Sequence, residues 1–258
     1  MDSTKCRTAA GARQFSLRAI LVAFVVIALM LGIVLAMYEN RAAYARRHWC
    51  QIHLRQISKA LANYSAVWGC PPPAWVSDEN GRRWHSWRTI VMPYHSLRYD
   101  PNNASCVGYD FDEPWDGPHN GRLLQRPPTD YRCPSLDASS LVGTASYVGV
   151  VEEAQRGFPR IITVVEMPDA GIKWSEPRDL TIPEIKRLGE RCLIARSLHR
   201  GRINVLLPGA RIVSVRPEEL RRELFRGADR LDLFVPGNEP LGRWRQIEPG
   251  MTPVEAHP

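Results

Sequence analysis

The chain is predicted to fold as an α+β protein: one long N-terminal helix, apolar enough to enter a membrane at its start, packed on an antiparallel β-sheet with long loops. Three observations predict this. Ala19 to Met37 carries no charged residue; Tyr38 to Trp68 lacks proline and glycine; and the later chain alternates short valine- and isoleucine-rich runs with turn residues.

The uncharged run would span roughly 28 Å as a helix, close to the thickness of a bilayer core. It is longer than the apolar core of most cleaved signal peptides. Basic residues flank it on both sides (Lys5, Arg7, Arg13 and Arg18 before; Arg41, Arg46, Arg47, Arg55 and Lys59 after), so the positive-inside rule does not orient it. A short polar leader and five of six cysteines beyond the run place the N-terminus in the cytoplasm and the rest outside it. The expected organisation is a leader over 1–18, a transmembrane helix over 19–37 and its extracytoplasmic continuation over 38–68. A folded domain over 69–236 and a tail over 237–258 follow. The site of action is then the cytoplasmic membrane, single-pass.

Beyond the membrane, Cys50, Leu54, Ile57, Leu61, Tyr64 and Trp68 step by three and four residues, which lines them up on one face of a helix. Arg55, Gln56, Lys59 and Asn63 take the opposite face. The stripe is expected to pack on the chain's own sheet. Gly69 and Pro71 to Pro73 end the helix. Asn80-Gly81 predicts a hairpin over 74–86, and Ser86 is placed to cap a short helix over 87–91 that stops before Pro93. Residues 100–134 read as loop, with one short helix near 121–125. Strands are expected over 146–151 and 161–166, with a second hairpin joining 203–207 to 211–215 around Pro208-Gly209. Pro217, Glu218 and Glu219 open a last helix toward Phe225.

The blocks CQIHLRQISKALANYSAVWGCPPPAWVSDENGRRWHSWRTIVMPY (50–94), YDFDEPWDGPHN (109–120), YRCPS (131–135), TASYVGVV (144–151), VVEMPDAGIKWSEPRDL (164–180) and LHRGRINVLLPGARIVSV (198–215) stand out. In this order they resemble a large bacterial family, abundant in planctomycetes, of pilin-like or pseudopilin-G-like proteins of unknown function. The resemblance implies a pilin-like ectodomain tied to type II secretion or envelope assembly. Such proteins carry a glycine before the cleavage point, then Phe-Thr-Leu, and a glutamate at the fifth mature position. Here Phe15-Ser16-Leu17 matches, but Gln14 and Ala19 stand in place of the glycine and the glutamate. A permanently anchored, non-filamentous relative is the reading that follows. Its partners would be the bilayer and other envelope or pilin-like proteins, met through exposed tryptophan- and proline-rich loops.

Chemistry is sparse. Net charge is +7, yet the arginines are scattered and often neighbour glutamates, which suits an anionic membrane surface better than nucleic acid. Asp110, Asp112, Glu113 and Asp116 are a candidate calcium set, although the EF-hand pattern fails; calcium is the one cofactor considered. An anchored binding module for calcium or an envelope ligand is therefore the alternative function. Glu176 and Asp179 near Trp174 could suggest acid–base work, but a loop of paired charges explains them equally well. No catalytic residue is named, and the histidines read as structural. Along one continuous helix Cys50 and Cys70 lie about 30 Å apart, too far to bond. Cys50 or Cys70 with Cys133 is the candidate disulfide, with Cys106 and Cys192 as other partners.

Overall fold

The computed structural model describes residues 16–95, 108–136, 143–152, 160–167, 170–187, 199, 201–216, 218–220 and 222. The expected leader up to Phe15, Cys6, Cys106, Cys192 and the tail after 237 lie outside them. The chain divides into two compact units, Met1–Ala43 and Tyr44–Pro258.

One helix, α1 (Leu17–Trp68), runs across the division. Ser16 Oγ accepts from Ala19 N at 3.2 Å and closes its first turn. At the other end Gly69 takes a positive φ of 72°, the left-handed cap that lets the chain turn away. Within the first unit Leu21, Phe24, Leu29, Leu31 and Leu35 are exposed, and no residue of the most apolar stretch is buried. This is the one helix, among the described residues, long and apolar enough to cross a membrane.

In the second unit the predicted stripe is the helix's core face. Cys50, Leu54, Ile57, Leu61 and Tyr64 are buried, and Trp68 is half-buried with Nε1 donating to Tyr94 Oη at 2.7 Å. Strands β1 (Trp75–Ser77) and β2 (Arg83–Ser86) form the expected hairpin, with Gly81 at φ 78° in its turn. Ser86 Oγ accepts from Arg88 N at 3.2 Å and starts α2 (Trp87–Ile90). Helix α3 covers Asn120–Leu123.

The main sheet contains β3 (Tyr147–Glu152), β4 (Arg160–Glu166), β5 (Leu180–Thr181), β6 (Ile203–Leu207) and β7 (Arg211–Val215), in the order β5-β3-β4-β6-β7. Four strands pair antiparallel as expected, but β5 joins β3 in parallel through Val150–Leu180 and Val151–Thr181. The sheet is therefore mixed, a correction to the purely antiparallel expectation. A two-residue strand carries no period in the sequence, so only the crossover through 170–179 sets its direction. Helix α4 (Ile182–Arg187) follows at once. Thr181 Oγ1 accepts from Glu184 N at 3.3 Å and Glu184 Oε2 accepts from Thr181 N at 2.7 Å, a capping box readable as Thr-x-x-Glu.

Among the described residues, the loops do not present their tryptophans. Trp87 and Trp174 are buried, Trp75, Trp84 and Trp115 are half-buried, and Pro72 and Pro73 are buried. The expectation that the loop tryptophans are exposed is corrected accordingly, while Pro118 and Pro134 in the loops are exposed. A buried ion pair explains part of the inward turn. Arg88 Nη1 donates to Asp179 Oδ1 at 2.5 Å, both side chains fully enclosed, and Trp87 Nε1 donates to Asp179 Oδ2 at 3.0 Å. Arg88 also donates to the carbonyls of Trp174, Glu176 and Arg178.

Candidate functional site

The acidic loop is committed to its own architecture. Asp110 Oδ1 accepts from Asp112 N at 2.8 Å, Glu113 Oε1 accepts from Asn120 N, and Arg82 Nη2 donates to both oxygens of Asp116 at 2.9 and 3.1 Å. Buried Asn120 ties the turns together, its Nδ2 reaching the carbonyls of Asp110, Glu113 and Pro114. No three of Asp110, Asp112, Glu113 and Asp116 converge as a ligand set. Glu176 and Asp179 are also engaged, Glu176 Oε2 by Lys173 N at 2.9 Å and Asp179 by Arg88, Trp87 and Gly149 N.

A different group converges in the core. Cys50 on α1, Cys133 after the loop, Glu166 at the end of β4 and His199 before β6 bring one ligating atom each to within 4.8 Å of the others; among the described residues no other such group forms. All four are buried. The sulfurs of Cys50 and Cys133 lie 3.3 Å apart, well beyond the ~2.05 Å of a disulfide, so both are thiols. Of the predicted disulfide candidates, the structure thus brings Cys50 and Cys133 together without bonding them, while Cys70 donates to Trp68 O at 3.3 Å.

Each member is positioned by its own element. The helical stripe that buries Leu54 and Ile57 carries Cys50 inward one turn earlier. Cys133 is held from both sides: its N donates to Ser146 Oγ at 2.7 Å, and its sulfur receives Ser135 N–H at 3.4 Å. Glu166 shows Oε1 to His199 Nε2 at 2.7 Å, while Asn204 Nδ2 holds Oε2 at 2.6 Å. Asn204 is fully buried in the otherwise apolar strand β6, and Gln51 Nε2 donates to its Oδ1 at 3.4 Å. Nearby, Tyr147 Oη donates to Cys50 O at 3.5 Å, and His53 Nδ1 lies 3.1 Å from Arg132 O.

The electrostatics follow from burial and contact. The hydrogen bond with Cys50 first, then that with His199, outweighs burial and lowers Cys133 to about 6. Cys50 is raised, by its bond to Cys133, by burial and by the Glu166 charge. Burial works to lower His199, but Cys133 and Glu166 override it and raise the ring to about 9. Burial works to raise Glu166, and His199, Cys50 and Asn204 together hold it below the usual carboxylate range. The contacts thus pull Cys133 and Glu166 toward their anionic forms and His199 toward its cationic form. Groups shifted by burial together with specific charged partners cluster at functional sites, which makes this quartet the candidate. Chemically, two sulfurs, an imidazole and a carboxylate suit a soft or borderline metal ion, and the two thiols also suit oxidation to a disulfide.

Sequence reasoning gives Cys133 only as a disulfide partner, takes His199 with the other histidines as structural, and assigns Glu166 no role. The four are separated by 83, 33 and 33 residues, so no short spacing pattern exists to find. Two signals were there: every member falls in a block that carries the family resemblance, and Asn204 interrupts an apolar strand.

Residues 41–162 match the model of a family described as a protein of unknown function, DUF1559. Cys50 and Cys133 lie inside the matched span; Glu166 and His199 follow it. No curated protein and no solved structure matches the chain.

Proposed function

We propose that this chain, matched by the DUF1559 family model over residues 41–162, is a single-pass membrane-anchored protein whose domain beyond Tyr44 acts outside the cytoplasm as a pilin-like structural or interaction module. The observation that supports it is helix α1: its first part is apolar with no buried residue, while its second part buries Leu54, Ile57, Leu61 and Tyr64 in the core of the domain. Apolar side chains left wholly exposed in water are costly, about 25 cal/mol per Å2, and a bilayer removes that cost. The pilin-like reading rests on a long N-terminal helix laid on a largely antiparallel sheet. Gln14 and Ala19 argue for a permanent anchor rather than a filament subunit, since a filament needs the glutamate to neutralise a buried amine. Its partners are the bilayer and other envelope proteins, not nucleic acid.

The test is topology. Full-length protein expressed in a Gram-negative host should stay in the pellet on carbonate extraction, and protease added to spheroplasts should digest the domain. Recovery in the soluble fraction, or protection until lysis, would overturn the reading. The mass of the extracted chain then decides processing: an intact N-terminus supports the permanent anchor, and a chain beginning at Phe15 refutes it.

A further inference from the structure

We propose that Cys50, Cys133, Glu166 and His199 form a four-ligand structural zinc site that fastens helix α1 to the sheet. The site is independent of the membrane reading, because all four ligands belong to the second unit.

The geometry argues for an ion at the centre. A tetrahedral zinc with ~2.3 Å bonds to sulfur and ~2.0 Å bonds to nitrogen and oxygen has ligand atoms about 3.8 Å (S to S), 3.5 Å (S to N) and 3.3 Å (N to O) apart. The corresponding distances here are 3.3 Å between the sulfurs, 3.3 and 3.5 Å from the sulfurs to His199 Nε2, and 2.7 Å from Nε2 to Glu166 Oε1. The sulfur–nitrogen edges already match. The sulfur–sulfur and nitrogen–oxygen edges open by about half an ångström when an ion enters, through small rotations of the cysteine and glutamate side chains.

Hydrogen bonding alone serves this cluster poorly. A ring nitrogen offers one N–H or one lone pair, yet three partner atoms crowd on His199 Nε2. An ion between them meets all four groups at once, taking the place of the protons on the thiols and the ring. The outer contacts are those a metal site needs: Asn204 fixes the far oxygen of Glu166, leaving Oε1 aimed inward, and Ser135 N–H supports the Cys133 sulfur. The donor set selects the ion. Two thiolates with an imidazole favour zinc over calcium or magnesium, which want oxygen ligands, and four buried protein ligands leave no open position, the mark of a structural site.

The experiment uses the full-length chain purified in mild detergent under reducing conditions. Elemental analysis should find about one zinc per chain, and exchange with cobalt should produce thiolate-to-cobalt absorption together with the intense visible bands of a tetrahedral ion. Cys133→Ser and His199→Gln should lose the metal at least tenfold, while Cys70→Ser keeps it. Because either ligand variant can misfold, the wild-type protein is the deciding sample. Folded wild-type chain with less than about 0.1 zinc and no cobalt bands overturns the proposal. A Cys50–Cys133 disulfide in metal-free protein, captured by blocking free thiols in the cell before any reductant is added, overturns it as well, assigning the pair to redox chemistry.

Discussion

Replacing Arg88 by methionine tests how the core handles the fully enclosed Arg88–Asp179 ion pair. The guanidinium makes four hydrogen bonds: to Asp179 Oδ1 at 2.5 Å, and to the carbonyls of Trp174, Glu176 and Arg178 at 2.8 to 2.9 Å. Methionine fills much of the volume but leaves Asp179 without its counter-ion. Burial already pushes the Asp179 carboxyl above its ordinary range, with Arg88 pulling it back, so its loss drives the acid toward the neutral form. Breaking a buried pair from one side costs about 3–5 kcal/mol. Trp87 and Gly149 still donate to the carboxylate, which favours the lower half of that range; the orphaned carbonyl of buried Trp174 adds about 1 kcal/mol. The expected total is about 4 kcal/mol, or a urea midpoint lowered by about 2 M at a slope of ~2 kcal/mol per M. The assay is urea unfolding of the full-length chain in non-ionic detergent, followed by tryptophan fluorescence. Arg88→Lys keeps the charge but not the fork and should fall between wild type and Arg88→Met. A midpoint loss below about 0.5 M for Arg88→Met would refute the reasoning, since the pair would then contribute no more than a surface contact.

His85 should make stability depend on acidity. It is buried, accepts from Tyr109 Oη at Nδ1 and donates from Nε2 to Phe111 O, and burial lowers its pKa from 6.5 to about 4. Above pH 6.5 both folded and unfolded rings are neutral. As pH falls toward 4 only the unfolded ring takes a proton, so about 3 kcal/mol is lost across that window. The stability gap between wild type and His85→Gln should narrow by about 2.5 kcal/mol from pH 7 to 4.5 in urea titrations; a constant gap contradicts the account. Leu54→Ala, in the buried helical stripe, should cost about 2–5 kcal/mol by chemical unfolding, whereas Trp49→Ala, on the exposed side, should change stability by less than about 0.5 kcal/mol. Gly143 has φ 77°, and a Cβ there would meet the Leu124 carbonyl oxygen in hard contact. Gly143→Ala should therefore lower the melting temperature by several degrees, and an unchanged value would show that the loop can give way.

Local signals carried far in this chain. The uncharged run, the three- and four-residue steps from Cys50 to Trp68, the Asn80-Gly81 turn, the Ser86 cap and the Pro208-Gly209 hairpin each depend on neighbours within a few residues, and each is present in the fold. The parallel strand β5, the inward tryptophans and the Arg88–Asp179 pair lie beyond such signals, because a contact between residues 91 positions apart leaves no period to read. The same separation hid the candidate metal site. Cysteine, glutamate and histidine are ordinary residues one at a time; their chemistry arises only when a helix, a strand and two connecting segments bring four polar atoms into one water-excluded space. Sequence alone determined that this protein has a membrane-ready helix with one face made for a core. Tertiary structure alone decided which distant side chains share that core, since burial and proximity are properties of the folded chain.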